Sequence, residues 1–257
     1  MLIGGLGLFS VRVADARAFR DILSAISTLV DEGTFYITEE GIRLRAMDPS
    51  RVAMVDFAMN KSAFDEYVSS GELKMCIDIG ELLKLLRRAG RESVELFLDE
   101  ETGQLKVTIR GKYTRTFSMP TLEASEEEVP TPRITFNVKA TLTTDGLHQA
   151  LEDVSLVSEH VRIEAEGDRI VMNAKGELMG VNIELDKGSD ALISLEVKEP
   201  SRATFSLSYL SEIVKAAAST SDVVTMEFST DMPIRLDFKQ QYDGKLIYYL
   251  APRIEVE

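Results

Sequence analysis

The chain repeats itself once at a constant offset, and that duplication constrains its fold more than any other feature. Phe19, Leu23 and Ile26 align with Leu147, Leu151 and Val154, 128 residues further on. Leu82, Leu85, Leu86 and Ala89 align with Leu210, Ile213, Val214 and Ala217 at the same offset. Both sets carry the three- and four-residue spacing of an amphipathic helix, so two helices of the first half recur in the second. A strand-like run repeats with a small shift, since residues 104–110 answer residues 233–239. A chain of 257 residues therefore holds two similar domains. The expected boundaries are 1–117 and 134–257, with a linker at 118–133.

Each half has few helices and many strands, which makes the fold class α+β. A helix is expected over 16–30, with Phe19, Ile22, Leu23, Ile26 and Leu29 on one face. Strands are expected at 34–37, 42–45, 52–57, 94–98 and 105–110, with turns at Glu39–Gly41 and Asp99–Gly103. Asp78 is placed to cap a second helix that ends near Gly90. The second half follows the same order: a helix over 145–158, strands through Leu185 and from Leu192, a helix over 207–218, then two final strands. Between the halves, residues 118–132 contain three prolines and four glutamates, the composition of a surface linker. Leu122 and Val129 are apolar islands in it; they either tack the linker down or help form a groove.

Charge narrows the function. The net charge of −14 repels nucleic acid and acidic lipid, so any DNA contact must come from a local basic stripe. One such stripe exists. Lys84, Arg87, Arg88 and Arg91 fall at i, i+3, i+4 and i+7, opposite an apolar face of Ile79, Leu82, Leu83, Leu86 and Ala89. Four like charges on one side either engage phosphates without reading bases or form a solvated helix face. Arg17 and Arg20 add a smaller patch, and Lys215 recurs at the position of Arg87. The third helix offers His148 and Gln149 but also Glu152 and Asp153.

Signals for catalysis are weak, and no catalytic residue, metal ligand or cofactor is expected. His148 and His160 are the only histidines, and neither pairs with Cys76 in a metal-ligand pattern. A single cysteine excludes an intramolecular disulfide and suits a reducing, intracellular setting. The glycines of residues 4–7 precede no helix that could cradle phosphate. Residues 1–9 are apolar but short and lack a basic leader, so they are expected to form a first strand rather than a signal peptide or membrane span. The alternative of another class is a nucleic-acid-processing enzyme using unrecognised carboxylates; a protein-only scaffold with a solvated stripe is a third reading.

Several stretches together resemble the proliferating cell nuclear antigen (PCNA) family of archaeal and eukaryotic DNA sliding clamps. They are Tyr248-Tyr-Leu-Ala-Pro-Arg-Ile254 at the end, Ala46-Met-Asp-Pro-Ser-Arg-Val52 in the first half, and the helix of residues 79–90. Ala174-Lys-Gly-Glu-Leu178 and Asp231-Met-Pro233 add to the likeness, which spans essentially the whole chain. It implies the DNA-clamp fold, with three chains, identical or related, closed head to tail around duplex DNA. Helices would line the hole and sheets would face outward. Arg17, Arg20, Lys84, Arg87, Arg88, Arg91 and Lys215 would then meet the duplex without regard to sequence. The clamp would do no chemistry of its own. It would act inside the cell, in the cytoplasm of an archaeon or the nucleus of a eukaryote.

The resemblance also implies partners: DNA polymerase, clamp loader, flap nuclease and DNA ligase, each inserting a short motif with a glutamine and aromatic anchors. The matching positions are Met47, Arg51, Val52 and Met54, then Leu122, Val129 and Pro130 of the linker. Met232, Pro233, Tyr249, Leu250, Ala251, Pro252 and Ile254 complete the set. Ring closure is expected by edge-to-edge strand addition. It would pair Arg110, Lys112, Tyr113, Arg115 and Phe117 of one chain with Glu177, Met179, Val181 and Ile183 of the next. Two features depart from the family pattern: Glu152 stands on the third helix where a cation belongs, and the linker is acidic at Glu126–Glu128.

Overall fold

The computed structural model describes residues 9–124, 129–241 and 244–254. The glycine run of residues 4–7, the expected first strand apart from Phe9, and the acidic run of residues 126–128 lie outside them. Four α-helices form among the described residues, at the places the apolar spacing indicates. α1 (Ala16–Ile26) and α2 (Ile79–Ala89) recur as α3 (Thr144–Ser155) and α4 (Leu207–Ala217). The Asp78 carboxylate accepts the Glu81 N–H at 2.8 Å and opens α2, satisfying a donor that the first turn leaves unpaired. Gly90, at φ 60°, closes it, a conformation that glycine adopts without a Cβ penalty.

Helices α1 and α3 are shorter than expected. α1 stops at Ile26 rather than at 30, because the Ser27 and Thr28 hydroxyls take the Ser24 and Ala25 carbonyls at 3.0 and 2.7 Å. Such side-chain bonds compete with the helical ladder and tighten the last turn. Leu29 and Val30 remain buried beyond the helix end. α3 ends at Ser155 in the same manner, its hydroxyl donating to the Glu152 carbonyl at 2.6 Å.

Strands fill the remainder. The first half gives β1 (Phe9–Val13), β2 (Glu32–Thr38), β3 (Gly41–Met47), β4 (Ala53–Asn60), β5 (Glu66–Ser69), β6 (Leu73–Asp78), β7 (Ser93–Asp99), β8 (Gln104–Arg110) and β9 (Thr114–Pro120). The second gives β10 (Val138–Thr143), β11 (His160–Glu166), β12 (Arg169–Lys175), β13 (Gly180–Asp186), β14 (Leu192–Val197), β15 (Ser201–Ser206), β16 (Val223–Phe228), β17 (Ile234–Lys239) and β18 (Lys245–Leu250). Three strands, not two, follow α4. β9 runs to Pro120, so the residues between the halves begin as an edge strand.

The chain divides into two compact units. One comprises Met1–Ala46, Asp56–Val129 and Gln241–Lys245; the other comprises Met47–Val55, Pro130–Gln240 and Leu246–Glu257. Sheet order repeats position for position. The order β5-β1-β7-β8-β9 is answered by β14-β10-β16-β17-β18, and β4-β3-β2-β6 by β13-β12-β11-β15. β2, β3 and β6 lie 128 residues before β11, β12 and β15 at both ends.

Each core forms where a helix pair covers the apolar rows of its sheets. Val94, Leu96 and Leu98 of β7 alternate inward beside Leu105, Val107 and Ile109 of β8, and all are buried. Leu82, Leu83 and Leu86 of α2 are at most 2% exposed, and each such side chain contributes about 2 kcal/mol on leaving water. α1 packs on α2, and α3 on α4. The tight β2–β3 turn needs Gly41 (φ 151°), because a Cβ there would sit 2.2 Å from the Met59 carbonyl oxygen. No described helix is long and apolar enough to cross a membrane.

Candidate functional site

Three surfaces carry the candidate residues. The first is the outward side of the helices. Lys84, Arg87 and Arg88 are exposed on α2, opposite its buried face. Gly90 ends the helix before Arg91, so Arg91 is exposed in the following turn and is not a fourth residue of the helical stripe. The cations are not equivalent. Lys84 pairs with Glu81 at 2.5 Å, a hydrogen bond that holds its ammonium above the usual lysine range. Arg20, half-buried on α1, is held by Asp21 at 2.7 Å. Among the described residues, Arg17, Arg87, Arg88, Arg91 and Lys215 have no carboxylate partner. The outward side of α3 is acidic, with Asp145, Glu152 and Asp153 exposed and His148 3.6 Å from Glu152.

The second surface gathers in the second unit around the loop of residues 47–52. Asp48, only 4% exposed, organises it. Its Oδ1 accepts the N–H groups of Val52 and Ala53 at 2.8 and 2.7 Å. Its Oδ2 accepts the Ser50 N–H at 3.0 Å and the Tyr209 hydroxyl, from α4, at 2.9 Å. Burial alone would raise the Asp48 pKa, but these four donors outweigh it and hold the carboxyl below the ordinary aspartate value. The loop is thereby pinned, with Arg51 at φ 59°.

The C-terminal tail runs beside this loop. Ala251 N–H donates to the Val52 carbonyl at 2.8 Å and Arg253 N–H to the Thr204 carbonyl at 2.7 Å. Asp231 N–H donates to the Arg202 carbonyl at 3.1 Å. Tail and turn therefore meet along the side of β15 away from β11, and bring Pro233, Pro252 and Ile254 toward the loop. Met47, Val52, Met232 and Ile254 stay 37%, 37%, 41% and 75% exposed, an apolar set that a monomer gains nothing by leaving wet. Tyr249, Ala251 and Pro252 are half-buried, and Arg51 and Pro130 are exposed.

Met54 and Leu250 differ from expectation. They are 3% and 2% exposed. Leu250 is buried in β18 next to half-buried Tyr249, whereas Met54 alternates away from Ala53 and Val55 in a strand that is covered on both faces from Ala53 to Phe57. Leu122 is tacked down, its N–H donating to the Cys76 carbonyl at 2.8 Å. The Val129 carbonyl, in the first unit, accepts from Arg45 at 3.0 Å.

The third surface comprises two sheet edges, β9 and β13. The core-side row of β9 is Arg115, Phe117 and Met119, opposite Ile109, Val107 and Leu105. Phe117 is 38% exposed there. On β13, Val181 and Ile183 are half-exposed on the side of buried Met172 and Ile170. Five expected interface residues fall off these edges. Arg110 closes β8, an interior strand, and pairs with Glu95 at 2.7 Å; Lys112 and Tyr113 lie in the turn before β9. Glu177 and Met179 precede β13, with Met179 60% exposed. Arg115 is tied to Glu92 of its own unit. No group of three or more His, Cys, Asp or Glu among the described residues could hold a metal ion.

Asp48 lies within the family-like stretch Ala46–Val52, but its locking role is not legible in the sequence. Only its separation from Tyr209, 161 residues away in the chain, hides it.

Comparisons with known proteins agree over both halves. Residues 8–125 match the N-terminal domain of proliferating cell nuclear antigen, and residues 131–253 match its C-terminal domain. A protein of Pyrobaculum aerophilum described as DNA polymerase sliding clamp 1 is 37% identical, over 94% of this chain and 96% of its own length. The DNA polymerase sliding clamp of Nitrosopumilus maritimus is also 37% identical, over 96% and 99%. Among solved structures, PCNA of Thermococcus kodakaraensis superposes with a TM-score of 0.89 at 27% identity, over 95% of this chain and all of that one. The PCNA2–PCNA3 complex of Sulfolobus tokodaii gives 0.87 at 29% identity, over 96% and 100%. With family models matched across both halves and relatives aligned nearly end to end, this chain belongs to the proliferating cell nuclear antigen family.

Proposed function

We propose that the chain is one subunit of a DNA sliding clamp, in which three copies, or this chain with related ones, join head to tail around duplex DNA. The ring tethers DNA polymerase and other replication and repair enzymes, among them the clamp loader, flap nuclease and DNA ligase. It acts as a processivity factor inside the cell and catalyses no reaction. A topological link permits weak, sequence-blind phosphate contacts and free sliding, while raising the local concentration of every tethered enzyme. Arg17, Arg20, Lys84, Arg87, Arg88, Arg91 and Lys215 are the proposed duplex contacts. Met47, Arg51, Val52, Met232, Pro233, Ala251, Pro252 and Ile254, with Pro130 of the linker at 118–133, form the proposed docking surface. The relatives' description as DNA polymerase sliding clamps supports this reading over a nucleic-acid-processing enzyme.

The observation that carries the ring is the repetition of sheet order. β18 has β4 as a neighbour, whereas their counterparts β9 and β13 end their sheets. Strand addition between β9 of one chain and β13 of the next would give these two edges the neighbour relation that β18 and β4 have in strand order. Light scattering of the purified chain tests this: a trimer mass is expected for a self-closing ring, and a ring with related chains would assemble only on mixing. The second arm is primer extension on circular template with polymerase and clamp loader. Unchanged product length with and without the clamp would refute the processivity role.

A further inference from the structure

A cleft of about 450 Å³ opens on the second unit, against the side of β11, β12 and β15 that alternates away from the buried Val161, Met172 and Phe205. Arg162 of β11 and Lys175 of β12 line it, together with His160, Asn173, Thr204 and Arg253 of the tail. Arg162 is neutralised by Glu164 at 2.5 Å. Lys175 and Arg253 are exposed and have no carboxylate partner among the described residues. The Arg253 guanidinium instead donates to the imidazole of His160, at 3.1 Å from Nδ1. A chain of net charge −14 thus gathers unneutralised cations in one concave place, where a bound carboxylate gains from charge-assisted hydrogen bonds.

Continuity indicates the occupant. Arg253 lies between Pro252 and Ile254, two residues of the proposed docking surface. The cleft is lined from the sheet side rather than by the cationic helices, so a duplex lying along those helices does not enter it. We propose that the cleft is a second subsite for partner peptides, taking a run of aspartate or glutamate side chains that flanks the aromatic anchors. This rests on the clamp reading and adds to it a charge preference among partners.

The test uses fluorescence anisotropy with labelled synthetic peptides and the full chain. One peptide carries the glutamine and aromatic anchors alone; others add a run of aspartates, or of serines, before or after the anchors. At low salt one aspartate-extended peptide is expected to bind about tenfold tighter than its serine counterpart, the gain of one or two charge-assisted bonds. Lys175→Glu should abolish that gain while leaving the anchor-only peptide unchanged, and Arg253→Ala should reduce it. Equal affinity of aspartate- and serine-extended peptides for the wild type would overturn the inference. So would an equal loss for every peptide in Lys175→Glu, or displacement of the aspartate-extended peptide alone by duplex DNA. An anchor-only peptide that fails to bind marks a failure of the docking reading itself, which is read separately from the effect of the extension.

Discussion

Single residues separate the groups that hold the fold from those free to act. Asp48 holds a loop that three backbone donors and the Tyr209 hydroxyl converge upon. Asp48→Asn keeps the shape but loses the charge, and is expected to cost about 2 kcal/mol at neutral pH, the range for hydrogen bonds to an ionised group. Because the folded pKa lies below the unfolded one, this stability is present above the unfolded value near ~3.9 and is lost as pH falls through the folded value. Denaturation midpoints of wild type and variant should therefore differ at pH 7 and converge in strong acid; a gap that persists there removes the charge as its cause. Leu250 and Ile254 make the contrasting pair, four residues apart but 2% and 75% exposed. Leu250→Asp places a carboxylate in the core and should unfold the strand, which disqualifies it as a probe of docking. Ile254→Asp should leave the melting temperature within about a degree or two, as surface changes do. Its affinity for the anchor peptide should fall about tenfold or more. Unaltered affinity would remove Ile254 from the docking surface.

At the scale of elements, α2 shows how a sequence pattern becomes a function and where the pattern misleads. Its apolar face and both of its ends follow from spacing, from the Asp78 cap and from Gly90. Its charge does not, because the same Gly90 that closes the helix carries Arg91 off the stripe, and Glu81 claims Lys84. Arg87 and Arg88 remain as the free cations on the helix itself. Arg87→Ala with Arg88→Ala should raise helix propensity slightly and leave the fold intact. The salt dependence of binding to linear duplex should lose about 0.9 in slope for each phosphate contact removed. Lys84→Ala should do less, since its partner Glu81 already offsets it; equal effects from Lys84 and the two arginines would contradict this ranking. Helices and most strands are legible because their spacing is local and the repeat states it twice. The Asp48–Tyr209 lock, the burial of Leu250 and the cluster of Lys175 with Arg253 are not, because each depends on elements distant in the chain and joined only by the fold. Helix ends are less legible where hydroxyl residues close the last turn, as α1 and α3 show by stopping short of the expected ends.

For the whole molecule, the repeat extends beyond its elements to the way segments cover sheet edges. Leu122 donates to Cys76 on β6, and Arg253 donates to Thr204 on β15, where 76 and 204 are again 128 apart. The segment between the halves and the C-terminal tail are thus equivalents, each lying along the last strand of its four-strand order. The repeat also shows which strands lack a neighbour: β18 and β4 are adjacent in strand order, whereas their counterparts β9 and β13 are sheet edges. On β18 and β4, Leu246, Tyr248, Leu250, Ala53 and Val55 are each at most 2% exposed. At β9 and β13, the corresponding core-side row leaves Phe117 38% exposed and Val181 and Ile183 half-covered. Joining the two edges would pair their backbone groups and finish both cores, and an open edge with apolar residues is otherwise a liability. Tyr113 is a poor place to test this, because it lies in the turn before the strand. Phe117→Asp instead puts a charge in the row the join would bury, while leaving β8 and α2 untouched. We expect unchanged circular dichroism and, at low micromolar concentration, a fall from the wild-type oligomer mass to that of the single chain. If wild type assembles only with related clamp chains, the same loss should be read in that mixture. A Phe117→Asp chain that folds and retains the wild-type assembly would show that this edge does not close the ring.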